Sequence, residues 1–237
     1  MIRLRPKLFR GRHFQDEIII LCVRWYPALQ PELPGSGGDD GRAGPQFGSL
    51  YNRPLGATLR ARIERTHPKM RRPGNSWRVD ETYVRVGGAW TYLYRAIDSQ
   101  GDTIDFMLSP KRDLLAARQF LRLALWRSGA MHPRVINVDG HPAYARAIAD
   151  LKQSGELGQR CRCRPVAYLN NIVEQDHRFI KKRIAASLWF RSVKGALNTI
   201  AGYESMHMIR KGQVKWLAKG DITGQVRFIH QVLGIAA

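Results

Sequence analysis

The sequence predicts an α/β protein, a mixed sheet with flanking helices, preceded by a helical module that is disrupted partway along. Three observations carry that expectation. Three runs rich in β-branched and aromatic residues follow one another from Trp77 with only tight turns between them. Helix-period and strand-like stretches then alternate to about residue 190. Residues 27–56, by contrast, are crowded with Gly and Pro and keep neither period.

Taken in order, residues 11–26, "GRHFQDEIIILCVRWY", place Phe14, Ile18, Cys22 and Trp25 at helical spacing, so residues 1–26 hold the first helix of a small N-terminal module. Residues 27–72 read as a low-order segment and linker; so long a structureless connection is foreign to a compact fold. "WRVDETYVRV", "WTYLYRAID" and "DTIDFMLS" follow as three strands, joined by "GGA" and "SQG", short enough for antiparallel hairpins. "RDLLAARQFLRLALW" aligns Leu114, Ala117, Leu121 and Leu125 on one helical stripe. "RVINVD" is a short apolar strand ending on an acid, and a helix starts near Pro142, a residue favoured in the first turn. An irregular Arg/Cys stretch with room for a fifth strand precedes the helix "NNIVEQDHRFIKKRIAASLWF", and the tail contains the helical "NTIAGYESMHMIRKGQV". A three-strand meander followed by alternating helix and strand is the element order of the ribonuclease-H-like fold, an analogy that says nothing about function until a site is found.

Composition narrows the partners. With 39 Lys and Arg against 19 Asp and Glu, the net charge is +20, a field that attracts polyanions, nucleic acid first among them. A basic surface that is merely solvated, or one facing an anionic membrane, is the duller explanation. No apolar run approaches the length of a membrane span, and the basic start lacks a small-residue cleavage site, so the expectation is a soluble chain in the cytoplasm. Three cysteines, with Cys161 and Cys163 two apart, form neither a disulfide framework nor a structural zinc pattern.

Asp80 and Glu81 sit in the middle of a predicted strand, where acids are depleted and a buried carboxylate needs a partner. Divalent cations held by hard oxygen ligands would supply one, and phosphodiester chemistry uses two such ions. Three acids fall where the sheet would gather them: Asp80, Asp139 and Glu174. Each has a plain alternative. Asp80 could face solvent, on the expectation that Val79 and Glu81 do not both face the core. Asp139 could simply form the turn before Gly140, and Glu174 could belong to a solvated salt-linked face. On the late helix Glu174, His177, Arg178 and Lys181 share one arc, opposite Ile172, Val173, Phe179, Ile180 and Ile184; Asp176 lies among the apolar positions. A base two turns beyond a metal-ligating acid would be placed to grip a DNA phosphate.

At "WRVDETYVRV", "WTYLYRAIDSQGDTIDFMLSPKRD", "VINVDGHPAY", "YLNNIVEQDHRFIKK" and "IRKGQ" the sequence closely resembles the DDE transposases of bacterial insertion sequences, specifically insertion sequence family six, over residues 11–26 and about 72–237. The resemblance implies that residues 73–190 are a ribonuclease-H-like (retroviral-integrase-type) catalytic domain and that residues 191–237 are a basic helical tail. It implies that Asp80, Asp139 and Glu174 are the catalytic, metal-binding triad for two Mg²⁺ or Mn²⁺ ions. DNA contacts are expected at Lys181, Arg178, His177, Lys182 and Asn171, with Asn170 also matching the family pattern. It further implies cleavage at insertion-sequence ends and strand transfer, terminal inverted repeats and target DNA as partners, a homodimer or higher assembly on DNA, and a nucleoid-associated location. The departure is residues 27–65, where the family has a helix-turn-helix. Compensating frame errors in the gene would account for it, and would leave end recognition, and hence activity on the parent element, impaired. A non-catalytic DNA-binding remnant acting as an inhibitor is the alternative from another class; a nuclease of the same fold, cutting without strand transfer, is a third.

Limited proteolysis of the native chain is expected to nick between Pro27 and Arg65 before cutting anywhere in the sheet. Fragment masses check this, and resistance of that segment would show that it has found a fold.

Overall fold

The computed structural model describes residues 70–129, 132–166, 177, 178, 180, 181, 184 and 190–233. The expected N-terminal helix, the aberrant segment 27–65 and Glu174 all lie outside the described residues. Met70–Ala196 forms one compact unit, and the described residues from Leu197 onward belong to another.

In the first unit the strands are β1 (Ser76–Val86), β2 (Ala89–Asp98), β3 (Thr103–Ser109), β4 (Val135–Val138) and β5 (Arg162–Pro165), with α1 (Leu114–Arg127) between β3 and β4 and α2 (Pro142–Gln153) between β4 and β5. They form one five-stranded sheet in the order β3-β2-β1-β4-β5. β1 is antiparallel to β2 and β2 to β3, whereas β4 runs parallel to both β1 and β5. Parallel neighbours need a crossover, which α2 provides between β4 and β5. This meander extended by two parallel strands, with helices in the connections, is the ribonuclease-H-like arrangement anticipated from element order.

Local chemistry explains each boundary. Gly87 and Gly88 take φ of 60° and 85° at the β1–β2 turn, a backbone that other residues adopt only under strain. Asp98 closes the next hairpin: its Oδ1 accepts from Gln100 N and Asp102 N, both at 2.9 Å, and its Oδ2 accepts from Gly74 N at 2.8 Å. That buried carboxylate therefore fastens the approach to β1 to the end of β2. Asp113 caps α1 by accepting from Ala116 N at 2.9 Å. α2 begins on Pro142, the first-turn residue near which the sequence places its start.

The core lies on one face of the sheet. Trp77, Val79, Tyr94 and Ala96 of β1 and β2 pack with Phe120, Leu121 and Ala124 of α1 and with Tyr144, Ile148 and Leu151 of α2. Trp77 is wholly buried, and its indole N–H donates to Gly74 O at 2.9 Å, so the largest side chain of the core leaves no polar atom unmet. Val84, Leu93 and Ile97, which alternate onto the opposite face, are buried as well. Val79 and Glu81 share the core face, contrary to the expectation from sequence. Alternation puts residues two apart on one side, and Glu81 is accommodated there because tertiary partners meet its charge.

The second unit, in its described residues, continues α3 (Val193–Arg210) and adds α4 (Ile222–Leu233). α3 begins before the predicted "NTIAGY" stretch and stops before "KGQV". Gly212, at φ 74°, ends it, with Gly212 N donating to Ile209 O and Gln213 N to Met208 O. A Cβ on Gly212 would lie 2.8 Å from Lys219 N, so the glycine of "IRKGQ" is required by close backbone packing. α4, which the sequence reading left undivided from the tail, is started by Asp221 accepting from Gly224 N at 2.8 Å.

Asp98→Ala would leave three backbone donors without their acceptor and is expected to cost about 1–3 kcal/mol. Urea unfolding should show a lower midpoint at unchanged slope.

Candidate acidic site at the β1–β4 junction

Register brings the site together. β4 pairs with β1 in parallel, with Arg78 opposite Asn137. The buried Asn137 reinforces that pairing across the strands, its Nδ2 donating to Trp77 O at 2.8 Å. Two residues further along each chain, Asp80 and Asp139 come abreast. Oxygen atoms of Asp80, Glu81 and Asp139 lie within 4.8 Å of one another.

Asp139 stands just beyond the C-terminal end of β4, where Gly140 at φ 97° turns the chain toward α2. Its Oδ1 accepts from His141 N at 2.9 Å, and its Oδ2 accepts from Arg112 Nη2 at 2.6 Å. The turn-forming alternative for Asp139 is thus real but does not exclude the other, because one carboxylate serves the turn and the site together. His177 Nδ1 lies 3.5 Å from Asp80 Oδ2, and in the β1–β2 register the fully buried Arg95 stands opposite Asp80.

Glu81 is the residue the sequence undervalued. Its side chain is only 3% exposed, against 17% for Asp80 and 28% for Asp139. Oε1 accepts from Arg112 Nε and Oε2 from the hydroxyl of Tyr144, so both oxygens are engaged. Arg112 precedes the cap of α1, and Tyr144 lies in the first turn of α2; both helix starts therefore converge on one strand residue. Burial alone would lower the Arg112 pKa, but Glu81, by charge and hydrogen bond, and Asp139 outweigh it and raise it. Burial, with Glu81 second, pushes the Tyr144 phenol well above its ordinary value, which keeps it a donor. Tyr94, opposite Glu81 in β2, is raised by burial and then by Glu81, and its hydroxyl donates to Lys111 O at 3.3 Å. Nothing in the local sequence marks Arg112 or Tyr144, since their partners are far away along the chain.

The remaining expected site residues divide. His177, Arg178, Ile180, Lys181 and Ile184 are helical; Ile180 and Ile184 are buried and Arg178 and Lys181 exposed, as their opposite arcs require. His177 departs from the expected DNA-contacting set: it is buried beside Asp80, so its side chain belongs with the acids and not on the exposed face. Glu174, Asn170, Asn171, Asp176 and Lys182 lie outside the described residues. Cys161 and Cys163 are free thiols, and burial pushes Cys161 up to about 11, so it stays protonated and unreactive at neutral pH.

The donor set is chemically apt for a divalent cation. Carboxylate oxygens are the ligands that Mg²⁺ and Mn²⁺ prefer, and the acids are close enough to share one. Among the described residues no helix is long and apolar enough to cross a membrane.

Comparison with known proteins gives the family. The transposase for insertion sequence-like element IS431mec of Staphylococcus aureus is 38% identical over 135 residues, 57% of this chain and 58% of that protein. The transposase for insertion sequence element IS257 in transposon Tn4003, also from Staphylococcus aureus, matches with the same figures. The chain therefore spans 58% of the length of these curated relatives. Among solved structures, the HTLV-2 integrase catalytic core domain in complex with magnesium aligns with a TM-score of 0.43 at 15% identity, over 61% of this chain and 95% of that one. The catalytic domain of Mos1 mariner transposase aligns with a TM-score of 0.42 at 15% identity, over 77% and 95%. The DDE domain family matches residues 74–213, more than half of the sequence. With that match, the chain belongs to the DDE transposases of bacterial insertion sequences, in insertion sequence family six.

Proposed function

We propose that this chain cleaves DNA at insertion-sequence ends and transfers the freed 3′-hydroxyl into target DNA, through a site built on Asp80, Asp139 and Glu174. The observation that carries the proposal is the β1–β4 register, which sets Asp80 and Asp139 abreast with oxygen atoms within 4.8 Å. Glu174 joins them by the family motif. These three carboxylates would hold two Mg²⁺ or Mn²⁺ ions, whose chemistry when bound is activation of a water or 3′-hydroxyl and stabilisation of the leaving oxygen.

The chain's own residues orient and bind. His141 N–H fixes the Asp139 carboxylate, and His177 stands beside Asp80 with Nδ1 3.5 Å from Oδ2. Arg178 and Lys181, exposed on that helix, grip the phosphates flanking the scissile bond, and Lys182 and Asn171 join them by the family motif. A net charge of +20 draws duplex DNA toward the protein whatever its sequence. Residues 73–190 are the catalytic domain in this scheme, and residues 191–237 are a basic tail. The aberrant 27–65 segment deprives the chain of base-specific end recognition. The working form is a homodimer or larger assembly on DNA, in the nucleoid-associated cytoplasm.

Strand transfer should be measured on pre-cut ends with Mg²⁺, which reduces dependence on end recognition. The wild-type chain should join ends to target, and Asp139→Ala should lose the product by at least about a hundredfold, a loss of the size seen when a transition-state stabilising group is removed. Equal product from both proteins would sink the reading.

Arg178→Ala and Lys181→Ala are each expected to weaken DNA binding uniformly across sequences and to reduce the salt slope by about 1. Fluorescence anisotropy over a salt series checks this.

A further inference from the structure

We infer that Glu81, Arg112 and Tyr144 form a positioning relay that sets the Asp139 carboxylate for its cation, an inference that rests on the metal site proposed above. Glu81 belongs to the acidic cluster by distance, yet its environment is not that of a ligand. Both its oxygens are committed, one to Arg112 and one to Tyr144, and its side chain is nearly sealed from solvent. Asp80 and Asp139 keep more exposure, as groups that take up an ion must.

Arg112 is the central link of the relay. Its guanidinium donates through Nε to Glu81 and through Nη2 to Asp139 at 2.6 Å, so one rigid plane spans two carboxylates. Only the forked arginine does this with fixed geometry; lysine offers a point charge on a flexible stem. Glu81, itself held by the Tyr144 hydroxyl, holds that plane from the core side, and Arg112 in turn holds Asp139 Oδ2. His141 N–H already fixes Oδ1, so the carboxylate is constrained at both oxygens while each retains a lone pair for a metal. The same cation offsets repulsion among three carboxylates gathered within 4.8 Å, which keeps the acids together before an ion arrives. Such outer partners of a ligating group commonly alter metal affinity by about 10- to 100-fold when removed.

The test is Mn²⁺ binding by the full-length chain, read from the electron paramagnetic resonance signal of free Mn²⁺, with melting temperature recorded without metal. Arg112→Lys and Glu81→Gln should each raise the Mn²⁺ midpoint by about tenfold, and the double variant should be little worse than the weaker single. Tyr144→Phe, which removes only a hydroxyl, should raise it by about threefold, on the order of one hydrogen bond. A purely structural role would lower the melting temperature and leave the midpoint where it was. Unchanged or lower midpoints in Tyr144→Phe and in whichever of the other two variants folds would overturn the relay. Asp139→Ala separates the failures: if it binds Mn²⁺ like the wild type, the metal site itself is wrong and the relay falls with it.

Discussion

The parallel pairing of β4 against β1 is the constraint on which the site depends. Asp80 and Asp139 are remote in sequence and become neighbours only because Arg78 stands opposite Asn137. The Asn137 side chain donates to Trp77 O, a directional bond inside an otherwise apolar junction. A slip of one residue would exchange the two faces of β4 and carry Asp139 out of step with β1. Trp77 has a double part here, since its carbonyl receives Asn137 while its indole anchors the core beneath the sheet.

Two adjacent acids on one strand are tolerable because each has its own partners. Glu81 is met by Arg112 and Tyr144, and Asp80 has His177 beside it. The starts of α1 and α2 thus do more than cover the core. Each delivers a polar group to Glu81 from the point where the helical backbone begins, and in α1 the cap is Arg112's neighbour Asp113. Burial and charge act together on Tyr144 and oppose each other on Arg112, yet Glu81 raises both, so one stays charged and the other stays protonated.

Periodicity and turn chemistry made most of the first unit legible. The β1–β2–β3 hairpins, α1 with its apolar stripe, β4 and the Pro142 start of α2 are governed by local alternation, by glycines able to take positive φ and by caps within a few residues. Short β5 was legible only as a possibility, because Arg162–Pro165 carries little β-branched or aromatic character and is strand chiefly through its pairing with β4. α3 ended earlier than its pattern suggested, since Gly212 closes it through contacts with a stretch seven residues on.

For this protein the amino-acid sequence alone determined the β1–β3 hairpins, α1, β4 and the start of α2, the excess of positive charge, and the motif acids that mark the family. Those follow from interactions spanning a few residues, or from none at all. Tertiary structure decided that Glu81 faces the core, that His177 is buried beside Asp80, and that Arg112 and Tyr144 converge on the acids. The reason is that strand register and helix placement are collective. They are set by core packing summed over Trp77, Phe120, Tyr144 and their neighbours, and no single stretch of sequence contains that sum.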